Sequence, residues 1–282
     1  MVKLNEVPGA FLYNGAVLLH PINLTVINHY LRLCIRLLTF VFAVFGVLPF
    51  VVLAIIMAKL LRLPGLNQWV VTTWSGLLCK IMGLDIHVVG TIPNAPVMVV
   101  ANHVSWLDIP IIHSFILAGF VAKREIKFWP ILGWLAMAGD TVFLNRGNSE
   151  SRKTVLNQLK KRLKQNRSVA IFPEGTVTDG SYLRPFHRQL IHAAVQTQTP
   201  VVPVTIKFLN RLNQREQRVA FVADESFIHH VLRVLQLPQT RVEVHIGPAL
   251  NQFDAGTRTL TTMARNAIEH QLNQDDYLST GA

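Results

Sequence analysis

Charge is scarce in this sequence, and what there is leans to one sign. Of 282 residues 15% are charged, with 27 basic against 16 acidic, which leaves a net charge of +11 at pH 7. Cysteine is nearly missing. Cys34 and Cys79 both fall in apolar or membrane-proximal stretches, so they read as buried thiols and imply no disulfide. No Gly-x-Ser-x-Gly occurs, so the usual nucleophile elbow of lipid hydrolases is absent. The histidines, His229 and His230 included, lack ligand spacing, and no metal site is expected. There is no nucleic-acid motif, internal repeat, low-complexity stretch or flexible linker. The positive balance therefore points to an anionic lipid surface rather than to nucleic acid.

Half of the residues are hydrophobic, and the excess is local. From Leu37 to Ala58 there is no charge at all, a length sufficient to cross a bilayer core as a helix. The run lies too far from the start, and lacks the small-residue cleavage site, to be a simple signal peptide. Pro49 sits in its middle and is expected to kink or break it. Arg32 and Arg36 precede the run and Lys59 and Arg62 follow it, so the flanks show no positive-inside asymmetry. A single span accounts for the length. A broken helix pair dipping into one leaflet accounts for Pro49 and for both basic flanks. Residues 1–65 are thus expected to form a membrane-embedded helical unit ending at Pro64-Gly65. The spacing predicts an amphipathic helix over 67–82, with Trp69 and Trp74 either at the membrane interface or in the core.

From Asp85 onward the pattern changes. Strand-like apolar runs fall at 86–89, 96–101, 119–122, 141–144, 168–172, 200–206, 218–222 and 241–246. Helix-like segments fall at 105–118, 129–138, 150–165, 187–197, 226–236 and 254–273. This alternation predicts an α/β domain over 66–282, with a mixed, largely parallel sheet flanked by helices. The helix over 150–165 carries a dense cationic face that is either solvated or meets an acidic carrier or lipid headgroups.

The chemistry-bearing residues cluster at strand ends. Asn102-His103-Val104-Ser105-Trp106-Leu107-Asp108 follows a buried strand. His103 and Asp108 lie about 140° apart on a continuous helix, so only a strand-to-helix junction brings them together. There, His103 can act as a base and Asp108 as its orienter. Alternatively, Ser105-x-x-Asp108 is a capping box and Asp108 only caps the helix. Phe172-Pro173-Glu174-Gly175-Thr176 follows another strand. It is either a tight turn or an anion site built on the glycine backbone and the threonine. Arg146, after the strand ending at Leu144, suits a phosphate or is a surface charge.

In this order the blocks resemble the glycerolipid acyltransferase family typified by 1-acylglycerol-3-phosphate acyltransferases. The resemblance rests on Asn102 to Asp108, on Gly139 with Thr141 to Arg146, on Phe172 to Thr176, and on Val202-Pro203-Val204. Ala122-Lys123-Arg124-Glu125 before Trp129-Pro130 adds to it, and it spans about 85–210. The resemblance implies direct O-acyl transfer from acyl-CoA or acyl carrier protein to a lysolipid, with no further cofactor. Because those donors are cytoplasmic and most basic residues lie in 66–282, the domain is expected at the cytoplasmic face of a membrane. It makes His103 the general base and Asp108 its support, and Ser105 a cap. Lys123, Arg146, Glu174, Gly175 and Thr176 would shape the acceptor headgroup site, with Val202-Pro203-Val204 beneath. The expected acceptor is 1-acylglycerol-3-phosphate. Two departures bear on it. Val177 stands where many members have arginine, with Arg184 or Arg188 as replacements, and Gln189 stands where glycine is frequent. Thr178-Asp179-Gly180 with Leu183-x-Pro185-Phe186 resembles a subgroup that includes lyso-ornithine lipid acyltransferases, the alternative acceptor class.

Overall fold

A computed structural model describes residues 10–13, 16–19, 24–92, 94, 96–128, 133, 136, 139, 141–144, 149–222 and 225–274. Two short strands, β1 (Ala10–Tyr13) and β2 (Ala16–Leu19), pair antiparallel. Helix α1 (Leu24–Phe42) then runs through a π-helical stretch, Ala43–Val47, into α2 (Leu48–Leu60). The break expected at Pro49 does not occur. The π stretch absorbs the irregularity, and Pro49 falls in the first turn of α2, where its missing N–H is not needed. Tyr30–Leu60 is one helix long and apolar enough to cross a membrane.

After a tight turn, α3 (Pro64–Ile81) folds back along α2. Ile55 packs with Val70 and Val71, and Leu48 with Trp74, which fixes the antiparallel pairing. Trp74 is therefore a core residue of the hairpin, whereas Trp69 is exposed. Cys79 is buried, and burial pushes its thiol up to about 12. Cys34 differs from expectation and is exposed. The inward face of α1 is taken by Leu33, Leu37 and Phe40, and Cys34 lies one step around the helix from them.

Seven strands form the main sheet: β3 (Leu84–Val89), β4 (Met98–Ala101), β5 (Gly119–Lys123), β6 (Val142–Leu144), β7 (Val169–Ile171), β8 (Val201–Leu209) and β9 (Thr240–Ile246). Their order is β3-β9-β8-β4-β7-β5-β6. Every neighbouring pair is parallel except β8 with β9. The sheet is thus mixed and largely parallel, as the apolar runs predicted. Along β4 and the residue before it, Val97, Val99 and Ala101 face one core while Met98 and Val100 face the other, the period-2 alternation of a strand buried on both sides.

Helices cover both faces. On one side lie α3, α4 (Asp108–His113) and α7 (Phe227–Gln236), with Ile111, Ile112, Val231, Val234 and Leu235 in the core. On the other lie α5 (Ser149–Lys164), α6 (His192–Thr197) and α8 (Gly256–Asn273), with Leu159, Ala194, Leu260 and Ile268. Each fully buried Leu or Ile contributes about 1.5–3 kcal/mol. Residues 218–222 are not a strand. Gln217–Val219 forms a 3-10 turn, and Phe221 N–H donates to Val104 O at 3.0 Å. That run is apolar because Val219 and Ala220 are buried, not because they enter a ladder.

Candidate active site

Parallel pairing of β4, β7, β5 and β6 sends all four carboxyl ends to one edge of the sheet. Open α/β sheets hold their ligands at that edge. The chain leaving β4 is fixed first by Asn102. Its amide donates to Ile206 O at 3.0 Å and accepts from Ile206 N–H at 2.8 Å, extending the β4–β8 pairing by one side chain.

His103 follows in a turn held from several directions. Its N–H donates to Glu174 Oε1 at 2.9 Å, and its carbonyl accepts from Thr178 N–H at 2.9 Å. Its ring lies flat on Phe172, with centroids 4.0 Å apart and planes 8° from parallel. His103 Nδ1 sits 2.8 Å from Asp108 Oδ2. The side chain keeps 19% of its surface open, whereas that of Asp108 has none.

The two roles considered for Asp108 coincide. Oδ2 accepts from Val104 N–H at 2.7 Å and from Ser105 N–H at 2.9 Å, in addition to the imidazole. One oxygen thus closes the turn before α4 and orients His103. A carboxylate there places the imidazole proton on Nδ1 and leaves the Nε2 lone pair for a substrate proton. Ser105 is fully buried, and its Oγ accepts from Leu107 N–H at 3.1 Å, so the hydroxyl is part of the turn.

Glu174 is buried beside this turn, with Oε2 accepting from Arg184 N–H at 2.8 Å. Burial pushes its carboxyl above the ordinary value, and the N–H groups of Arg184 and His103 pull it back down. Both of its oxygens are engaged with main-chain donors, which makes it the strut between the two loops. Gly175 adopts φ +71, where a β-carbon is disfavoured, and sits exposed next to the half-buried Thr176. Lys123 is exposed at the carboxyl end of β5. Arg146 lies outside the described residues. Arg184 and Arg188 are exposed, and Val177 is half-buried. Val202, Pro203 and Val204 are buried in β8 beside β4, where Pro203 O accepts from Gly247 N–H at 2.9 Å.

Two supports escaped the sequence reading. Arg215 donates to Gly180 O and, at 2.7 Å, to Leu272 O, so it ties the loop after Thr178 to α8. Gly180, at φ +82, is close enough to Val104 that an added β-carbon would meet it at 3.3 Å. Trp106 Nε1–H donates to His230 Nδ1 at 3.0 Å, and His230 Nε2–H to Val219 O at 2.9 Å. No spacing rule links residues 124 positions apart, so only the fold reveals this relay.

The profile of the family described as "Acyltransferase" matches residues 84–207. The chain is 37% identical over 213 residues to a lyso-ornithine lipid O-acyltransferase of Pseudomonas aeruginosa, covering 73% of this chain and 81% of that one. It is 29% identical to a 1-acyl-sn-glycerol-3-phosphate acyltransferase of Neisseria meningitidis serogroup B, over 63% of this chain and 70% of that one. Among solved structures, the 1-acyl-sn-glycerophosphate (LPA) acyltransferase PlsC from Thermotoga maritima superposes with a TM-score of 0.69 at 20% identity, covering 89% of this chain and 97% of that one. That last likeness is one of fold.

Proposed function

The chain belongs to the acyltransferase family, and on that premise we propose that it moves a fatty acyl group from acyl-CoA or acyl carrier protein to the hydroxyl of a lysolipid. The observation that carries this reading is the 2.8 Å contact from His103 Nδ1 to Asp108 Oδ2, made in a partly open turn at the ligand edge of the sheet. In the proposed step His103 Nε2 takes the acceptor's hydroxyl proton as that oxygen attacks the thioester carbonyl. Asp108 stabilises the imidazolium. Collapse of the tetrahedral intermediate expels the thiolate, which takes the proton from His103. No acyl-enzyme forms, in keeping with the buried Ser105.

Two acceptors compete. Lys123, with Arg146 and the exposed Arg184 and Arg188, suits the phosphate of 1-acylglycerol-3-phosphate. Val177, in place of the frequent arginine, suits a headgroup without phosphate. The 37% identity to the Pseudomonas aeruginosa enzyme also shifts the weight toward a lyso-ornithine lipid. Offering both acceptors together to the purified protein with a labelled acyl donor decides between them. Exclusive labelling of the phosphate-bearing product would reverse the weighting, and labelling of neither would sink the activity. If the phosphate lipid is used, Arg146→Ala should raise its KM by roughly 10- to 100-fold, the scale of one lost charge-assisted contact.

The site is proposed to work at a membrane. In support, Leu38, Phe42, Phe45, Phe50, Leu53 and Leu60 expose their side chains along α1, the π-helical stretch and α2, backed by a folded domain. The acyl donors are cytoplasmic, which favours that face.

A further inference from the structure

At the edge of the sheet opposite the candidate active site, the α2–α3 turn lies near the end of α5. Leu117, two residues before β5, packs against Ile55, Val70 and Val71 of the hairpin. Gly119 N–H donates to Ser168 O at 3.0 Å, which brings the residues just before β7 alongside. Arg167 is the neighbour of Ser168. It is folded back toward Arg162 by the helix end, where Asn166 takes φ +57 and Arg167 N–H donates to Arg162 O at 3.0 Å. Lys59, in the last turn of α2, is within electrostatic reach of both arginines. Arg62, exposed in the turn, is left-handed at φ +55, a conformation usually given to glycine.

The cations continue around α5. An open groove of about 760 Å³ is lined by Asn157, Lys160, Lys161, Lys164, Gln165 and Gln196. No acidic residue occurs in the sequence between Glu6 and Asp85, nor between Glu150 and Glu174. Flanking Lys59 and Arg62 in the chain, Leu60, Leu61, Leu63 and Leu66 are exposed on and next to the turn. A soluble acidic protein would find the charge but not be matched by the leucines. A bilayer with anionic headgroups matches both, since apolar side chains enter the acyl boundary while cations remain at headgroup level.

We propose that the α2–α3 turn and the end of α5 form one docking surface for anionic phospholipid headgroups, distinct from the acceptor site. The proposal rests on the reading that the hairpin's apolar face enters a membrane, and adds a lipid preference to it. Each cation near such a surface is expected to raise affinity roughly fivefold at moderate salt.

The test is a partition experiment on the full-length protein. Detergent-purified protein is diluted into equal amounts of vesicles of phosphatidylcholine and of phosphatidylcholine mixed with phosphatidylglycerol, which are then separated by density. Wild type should collect on the anionic vesicles, and molar salt should even out the distribution. Lys160→Gln/Arg162→Gln/Lys164→Gln/Arg167→Gln should divide between the two kinds while still binding both. Because Arg162 is partly buried, a second variant changes exposed lysines only. Lys161→Glu/Lys164→Glu should shift in the same direction without losing folded structure by circular dichroism. Wild type evenly divided, or both variants as strongly anionic-selective as wild type, would refute the docking surface. Loss of binding to both kinds by the lysine variant would also refute it, since these lysines would then serve more than charge recognition. Wild type bound to neither kind would refute the membrane reading on which the proposal stands.

Discussion

At the scale of single residues, His103 and Asp108 should separate in their consequences. His103→Ala removes the proposed base, and acyl transfer should fall about 10²–10⁴-fold with little change in melting temperature. Asp108→Asn should damage both activity and stability. Its Oδ2 is the shared acceptor of two backbone N–H groups and the imidazole. An amide that keeps its oxygen there loses the charge facing the imidazole and buries its NH2 at the Oδ1 position, where the carboxylate has no hydrogen-bond partner. An activity loss of similar size is expected, with a melting temperature lower by roughly 5–10 °C. Kinetics with labelled acyl donor and thermal melts of both variants check this, and an Asp108→Asn protein that melts like wild type would contradict the turn-closing role. Asn102 to Asp108 and Phe172 to Thr176 were legible because each is a short contiguous block at a strand end. What each residue would touch was not. Glu174 reaches the N–H of His103, and Phe172 its ring, only because β7 lies beside β4, an adjacency that apolar alternation along the chain does not encode.

At the scale of elements, the relay from Trp106 through His230 to Val219 joins the turn before α4 to α7. His230 is completely buried, and burial holds it below its ordinary value, with Arg233 nearby acting in the same direction. Buried His113 is lowered likewise. The sign follows from where the proton sits. In the unfolded chain these rings protonate near pH 6.5, while the folded state resists until lower pH, so acid favours unfolding. Stability should therefore be level above about pH 6.5 and fall below it, by at most about 1.4 kcal/mol per pH unit for each histidine. His230→Gln keeps an acceptor for Trp106 and a donor for Val219 but does not titrate, so its melting temperature should fall less steeply between pH 6.5 and 5. Melts across that range decide it, and identical slopes would contradict it. The sequence was less informative where an apolar run served another purpose. The run 219–222 is apolar because Val219 and Ala220 are buried beside a turn tied to Val104, and Pro49 could not show that a π stretch would precede it.

At the scale of the whole molecule, the hairpin and the α/β domain share a core. Leu33, Leu37 and Phe40 of α1 pack against it, and the Arg36 guanidinium donates to Leu235 O and Leu237 O at the end of α7. A chain starting at Pro64 should therefore aggregate or melt well below the full-length protein, even in detergent. Size-exclusion chromatography and thermal melts of the two chains would show it, and a monodisperse truncated domain as stable as the whole would contradict the shared core. The position of β9 has a consequence for how the molecule is made. It is inserted between β3 and β8 and is the last strand in chain order among the described residues. During synthesis β3 emerges early and has no ladder partner until residues 240–246 leave the ribosome. By then the apolar hairpin preceding β3 has long emerged. The nascent protein thus waits with an open strand edge next to an apolar hairpin, the kind of edge that invites mispairing. Its completion depends on one late strand of seven residues closing the gap.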